Sequence, residues 1–368
     1  MNAGNVQKPR VMKESKNKIK VDFERTSLKE RMKAKFVNLY FFERLIWWIF
    51  RFVLLIGISY VVLFPFISKI AASLMGPDDF VNATVRLIPT QVSFQIYKMI
   101  FVENNYMQAF WNTLFLSGST ALLQTFVCCM IAYGLAKFKF KGNKVVFYLV
   151  MLTMIVPHQT LQLSLYMGFR YFDIFNIFNF LAGGGLKFLN FTWCPEFLSK
   201  IHILPADKFL GGINLINTYW PMLIMSAVGL AFKNGLYIFM LMQFFRGVPD
   251  ELEESAYMDG SGTFRTFIQI ILPLSVPMMI TVFLFAFSWQ WTDDFYTELF
   301  FTTTKTVLMP DIIAIPKSLE TSYAGQSLYY AAIRNTCGLM IIAPLVIMYV
   351  FCQRYLVQGI ERSGLTAD

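Results

Sequence analysis

The chain has 368 residues, of which 56% are hydrophobic, 17% aromatic and only 15% charged, with a formal net charge of +9. A soluble domain carries roughly a quarter charged residues, so composition excludes an ordinary water-soluble protein and points to an all-α polytopic membrane protein. The basic surplus is uneven, because residues 1–51 hold thirteen Lys and Arg against five Asp and Glu.

In chain order, residues 1–45 read as a basic N-terminal tail lying in the cytoplasm against membrane lipid. No nucleic-acid-binding fold accompanies the charge, so no nucleic-acid partner is expected. The first forty residues lack the apolar core of a secretory signal. The first apolar stretch, from near Leu45, is too long for one and reads as an uncleaved anchor. About twenty apolar residues cross the hydrocarbon core, and six segments qualify: 46–68, 111–134, 146–168, 220–244, 268–290 and 332–356. The first span and an external loop occupy 46–110, five more spans fill 111–356, and a cytoplasmic tail covers 357–368.

Placing residues 1–45 inside makes the loops alternate. Twenty-one of the thirty-two Lys and Arg then lie inside and nine outside. That asymmetry follows the positive-inside pattern and puts the 245–267 loop in the cytoplasm. Pro65, Pro157, Pro273, Pro277 and Pro344 fall in spans and read as ordinary kinks. Trp47, Trp48, Trp111, Trp220, Trp289 and Trp291 sit near span ends, as interfacial anchors do. The external segment 169–219 is long, with Gly183-Gly184-Gly185 inside it, and reads as an inserted surface helix.

Some polar residues invite sharper readings. Lys233-Asn234 interrupts the fourth span, and a mid-span Lys costs about 3 kcal/mol on insertion scales. It should face the bundle interior or water, and a structural hydrogen bond is preferred over substrate contact. His158 reads as a packed, hydrogen-bonded histidine, and Arg334 as a snorkelling one. Asp293-Asp294 does not suit a hydrolase pair, since adjacent residues diverge in direction. Cys128, Cys129, Cys337 and Cys352 lie in apolar segments. Cys194 has no mate on its side, so no disulfide is expected there. His158 and His202 match no metal-ligand spacing.

The polar island Pro249–Gly260 is the most informative stretch. Pro249 suits a first helical turn, the acidic residues after it suit the positive end of the helix dipole, and Gly260 suits a left-handed stop. The result is a helix of roughly ten residues, about 15 Å long, where small Ser255 and Ala256 would let a partner approach closely. Ser261-Gly262-Thr263 starts a second helix that enters the membrane through Leu272-Pro273.

These residues resemble the inner-membrane permeases of type I ABC importers, above all the second permease of the maltose-type carbohydrate family. That family carries a Glu-Ala-Ala motif ending in Asp-Gly, with Leu-Pro a dozen residues on. Glu254, Ala256, Asp259, Gly260, Leu272 and Pro273 stand at those places, and Ser255 replaces the first alanine. Pro89–Tyr97, Asn112-Thr113-Leu114, Tyr133-Gly134-Leu135-Ala136, Ile155-Val156-Pro157, Asn217–Trp220, Trp291–Phe295 and Gln353–Gly359 also match. The likeness covers roughly 45–365. The departures are the basic tail and an insertion within 174–213.

The resemblance implies a six-helix permease bundle with a cytoplasmic coupling helix, whose Glu254 pairs with a basic residue of an ATPase. It implies a cytoplasmic ATPase dimer, a second permease, an external solute-binding lipoprotein touching the loop near 303–328, a C-terminal tail at the ATPase interface, and a sugar substrate in the bacterial inner membrane. The chain lacks a Gly-x4-Gly-Lys-Ser/Thr phosphate loop. No cofactor is therefore expected on it, and ATP and Mg would be bound by the partner ATPase. No substrate-contact residue is assigned. An ion-coupled secondary transporter would need inverted repeats and intramembrane carboxylates, and a membrane-embedded enzyme a catalytic cluster at one face. Neither set of features is evident.

Overall fold

A computed structural model describes residues 39–173, 186–188, 191–193, 212–231, 233–303, 306–322 and 325–362. Most of the basic tail and of the 174–213 insertion, the last six residues, Cys194 and His202 lie outside the described residues. Two compact units, Met1–Ile67 and Ser68–Asp368, divide the chain.

Helix α1 (Leu39–Ser73) runs from the first unit into the second. From Phe52 to Ile67 it carries no charged side chain, and Trp48, Leu55, Val61 and Phe66 are each about half or more exposed. A surface of that kind is at home in lipid.

The second unit is built around α3 (Tyr106–Lys137), which follows the short helix α2 (Gln95–Glu103). The face of α3 turned to its neighbours carries Ala109, Ser117, Thr120, Ala121, Thr125, Cys128, Cys129 and Ala132, all buried. Small side chains let membrane helices approach closely, and dispersion then replaces the missing hydrophobic drive. Against α3 pack α6 (Trp220–Ala227), α7 (Asn234–Arg246) and α10 (Leu272–Trp291), and α12 (Gln326–Arg362) packs on α10. Trp291 is fully buried at the end of α10, where its indole N–H donates to the Ile341 carbonyl at 2.9 Å.

Four described helices are long and apolar enough to cross a membrane: Phe42–Ser73, Tyr106–Lys137, Thr263–Trp291 and Gln326–Val357. The other two expected spans are broken. The third divides into α4 (Asn143–Ile155) and a segment His158–Arg170, ending in α5 (Gln162–Arg170), bent by 95°. Pro157 lies in the break with extended backbone (ψ 129°), so it ends a helix and does not merely kink one.

The fourth expected span, 220–244, is not one helix either. It separates into α6 and α7, with Gly229 and Lys233 both left-handed at φ +76° and +66°. A continuous helix cannot pass through such residues, whereas hydropathy counts them as part of one apolar run.

Asn234, next to Lys233, begins α7 at the break. Its side chain is buried and has no hydrogen-bond partner among the described residues. Lys233 places its ammonium 4.9 Å from the centre of the Trp289 ring. His158 agrees with its reading, pairing Nδ1 with the Tyr296 hydroxyl at 2.8 Å. Asp293 accepts from the backbone N–H groups of Tyr296 and Thr297 at 3.0 and 3.2 Å, holding the first turn of α11 (Phe295–Phe300). Burial, with a smaller push from Asp294, holds its carboxyl up at about 7 against those two donors.

The inserted surface helix expected within 169–219 falls mostly outside the described residues. The described part of that segment contains a two-stranded antiparallel hairpin, β1 (Leu186–Phe188) against β2 (Phe191–Trp193). Aromatic and β-branched residues favour a pleated surface there. Reciprocal backbone bonds between Phe172 and Ile213 (3.0 and 2.9 Å) close the base of the insertion.

Helix α7 lies close on α4 because Gly235 has no side chain. A Cβ there would stand 2.7 Å from both Met154 Cγ and Thr153 Oγ1, and 3.0 Å from the Val150 carbonyl. Gly235→Ala should therefore cost about 1–3 kcal/mol of overpacking and lower the thermal unfolding midpoint of the detergent-solubilised protein. Gly168→Ala, whose Cβ meets open space, should not lower it. Equal midpoints for the two variants would remove the close-contact argument.

Candidate functional site

The polar island folds as α8 (Glu251–Met258), shorter than expected. Pro249 is not in its first turn: Asp250 is the N-cap and Pro249 the residue before it. The Asp250 carbonyl accepts from the N–H groups of Glu253 and Glu254, both at 3.0 Å. Glu251, Glu253 and Glu254 stand in the first turn, at the positive end of the helix dipole.

The C-terminus is closed as a full Schellman cap. Gly260 at φ +79° donates to the Tyr257 carbonyl (3.0 Å), and Ser261 donates to the Ala256 carbonyl (2.9 Å). The chain then turns through extended Gly262 into α9 (Thr263–Thr266), and a π-helical turn Phe267–Ile271 leads into α10. Pro273 near the start of α10 lacks the N–H that would close an α-turn on the Gln269 carbonyl. A π-turn at that point is the usual accommodation.

Glu254, Ser255, Asp259 and Gly260 are exposed and share this loop. Ala256, expected to face a partner, is instead buried at 5% exposure beside equally buried Glu253. Residues three apart lie on one helix face, and here that face turns inward. Leu272 and Pro273 lie two turns further on, at the start of α10, apart from the exposed group. Met258 (89% exposed) and Phe264 (71%) add a bare apolar fringe.

Lys137, the last residue of α3, fixes the loop in place. Its ammonium donates to Asp250 Oδ1 at 2.6 Å and to the Val248 carbonyl at 2.7 Å, and lies 3.8 Å from Glu253 Oε1. The Lys137 side chain is only 6% exposed, while that of Asp250 is 79% exposed. The hydrogen bond and charge of Lys137 hold the Asp250 carboxyl below its ordinary value. Burial raises that of Glu253, and Lys137 only partly offsets it. In the sequence Lys137 is one of four lysines in a short basic loop, and only its apolar flank Tyr133–Ala136 distinguishes it.

The 301–322 segment is stitched by residues of other motifs. Asn112 Nδ2 donates to the Val307 carbonyl (3.0 Å) and Thr113 Oγ1 accepts from Met309 N–H (2.8 Å). Asn217, left-handed at φ +63°, accepts at Oδ1 from Thr303 N–H (3.0 Å). These motif positions are structural staples of the 301–322 segment.

The geometry defines a polytopic helical membrane protein that presents one rigid, capped helix on a loop. Residues 125–362 match the binding-protein-dependent transport system inner membrane component family, and the chain belongs to it, as a multi-pass transport subunit of the bacterial inner membrane. The chain is 23% identical over 325 residues to the probable ABC transporter permease protein YurM of Bacillus subtilis, covering 86% of this chain and 87% of that one. It is 24% identical over 319 residues to the polygalacturonan/rhamnogalacturonan transport system permease protein YtcP of the same organism (84% and 94%). It is also 24% identical over 317 residues to its arabinooligosaccharides transport system permease protein AraQ (84% and 92%). The fold is similar to that in a crystal structure of a bacterial ABC transporter involved in the import of the acidic polysaccharide alginate, with a TM-score of 0.58 and 18% identity over 84% of this chain and 96% of that one.

Proposed function

We propose that the chain is one of two permease subunits of a sugar or oligosaccharide importer, and that α8 is its coupling helix, seated in a cleft of a cytoplasmic ATPase. The observation that carries this is the helix pinned by Lys137 and capped at its C-terminus. A rod of eight residues closed at its C-terminus by Gly260 and held at its base by Lys137 transmits displacement without bending. Its exposed Glu254, Ser255 and Asp259 are free to meet the partner. Glu254 would pair with a basic residue of that cleft, and ATP-driven closure of the ATPase dimer would push α8 and, through α9 and the π-turn, tilt α10. Leu272 and Pro273 act at this joint by setting where α10 begins, and not by touching the partner.

ATP and Mg would be bound and hydrolysed on the partner. An external solute-binding lipoprotein would dock on the loop near 303–328, and the C-terminal tail would reach the ATPase interface. The relatives named for saccharides support the sugar reading.

Ser255→Cys tests the placement. It should crosslink to a nucleotide-hydrolysing subunit in inverted membrane vesicles and resist a membrane-impermeant thiol reagent added to intact cells. Labelling of that cysteine from outside, or crosslinks to everything except such a subunit, would refute it.

A further inference from the structure

Two expected spans break side by side. Helices α4 and α7 have 13 residues each, about 20 Å at 1.5 Å per residue. Measured from their loop ends at Gly142 and Gly247, both breaks therefore lie deep within a hydrocarbon layer about 30 Å thick. They line one cavity of about 330 Å³, walled by Thr153, Pro157, His158, Gly229, Lys233 and Asn234, among others. Non-helical backbone at that depth persists only where protein buries it or water and solutes fill the space it lines.

Several independent features of this wall suit an anion. Lys233 brings a cation, held in a left-handed conformation (φ +66°) that a non-glycine residue keeps only at a cost in strain. The N-terminus of α7, the positive end of a 13-residue helix, begins at the next residue. The ionisable residues among those described on the wall are Lys233 and His158, with no Asp or Glu. Asn234 also lines it, 2% exposed, and its Oδ1 and Nδ2 both lack a hydrogen-bond partner among the described residues. A buried amide left in that state costs roughly 1–3 kcal/mol. Both atoms are closed to solvent as they stand, and a turn of the amide toward the cavity would let a bound group supply what it lacks, with Nδ2 donating to an acceptor and Oδ1 accepting from a hydroxyl.

We propose that this cavity is a substrate subsite for an acidic saccharide. Lys233 and the α7 N-terminus hold a sugar carboxylate, and Asn234 holds the neighbouring hydroxyl. The ammonium also lies 4.9 Å from the centre of the Trp289 ring, a cation–π contact. The inference deepens the importer reading and rests on it, since it names the chemical class of the cargo and gives this subunit a share in recognising it.

The test is thermal protection of the full-length chain, co-purified with its assembled subunits, by trigalacturonate and by neutral galactotriose. The parent should be protected by trigalacturonate at about tenfold lower concentration, the worth of one charge-assisted hydrogen bond. Lys233→Gln should bring the two ligands within about twofold, and Lys233→Arg should keep the preference. Should Lys233→Gln fail to assemble, Asn234→Asp, nearly the same shape with a repelling carboxylate, must remove the preference. Equal protection by both sugars in the parent, protection by neither, or a preference that survives both variants overturns the subsite. ATPase-dependent saccharide uptake, measured in the same strain, separates the two failures: while it persists the importer reading stands, and if it is absent that reading falls as well.

Discussion

Gly260→Pro is expected to abolish uptake while leaving the protein inserted at normal levels. Gly260 sits at φ +79°, and proline fixes φ near −65° and has no N–H. The substitution therefore removes the bond from Gly260 to the Tyr257 carbonyl and takes away the turn that lets Ser261 reach Ala256. Without that cap, α8 frays at the end that leads into α9 and α10, and a push on it is lost as local unwinding. A loss of at least about 100-fold, near 3 kcal/mol, is the expected size. Gly260→Ala, which faces only the cost of roughly 1 kcal/mol for a left-handed L-residue, should keep a tenth or more of the activity. Insertion should be unaffected, because charge distribution and apolar length decide it. Radiolabelled sugar uptake, read beside the amount of chain in the membrane fraction, checks both halves. Parental uptake by the proline variant would sink the lever.

Lys137→Met should uncouple the loop from the bundle. The ammonium holds Asp250 at 2.6 Å and the Val248 carbonyl at 2.7 Å and is the cation nearest Glu253, whose side chain is 9% exposed. Breaking a fully buried pair costs about 3–5 kcal/mol. Asp250 stands in water, so solvent screens much of that cost here. Uptake should fall about tenfold or more. Glu253→Gln in the Lys137→Met background should recover part of it, because the neutral amide leaves no buried charge without a counter-ion. Comparing both single variants with the double variant isolates the pair. Simple additivity of the two losses would show that Lys137 and Glu253 do not act together.

Much of the loop was legible before any coordinates. The acidic first turn, the glycine stop and the second helix from Thr263 each follow from local rules acting within a few residues. Nothing in the local pattern marked Ala256 for burial, because its neighbour on the same helical face is the charged Glu253. Lys137 was legible only as topological charge. Its partner Asp250 is 113 residues away, and no local pattern says which of four lysines will be drawn under a distant loop.

The spans divide in the same way. Length and hydropathy located all six apolar segments, and four of them are continuous helices among the described residues. The other two break, at Pro157 and between Gly229 and Asn234. A hydropathy window sums transfer energies and carries no information about backbone handedness.

By itself the sequence determined that this chain lives in a membrane, where its apolar segments run and which short polar helix stands apart from them. Those are sums over neighbouring residues, set by transfer free energy, charge asymmetry and capping. Tertiary structure alone decided which lysine anchors that helix, which face of it turns outward and where two broken spans meet around a basic cavity. Such features depend on residues far apart in sequence being held within a few ångströms, and only the packed bundle fixes those distances.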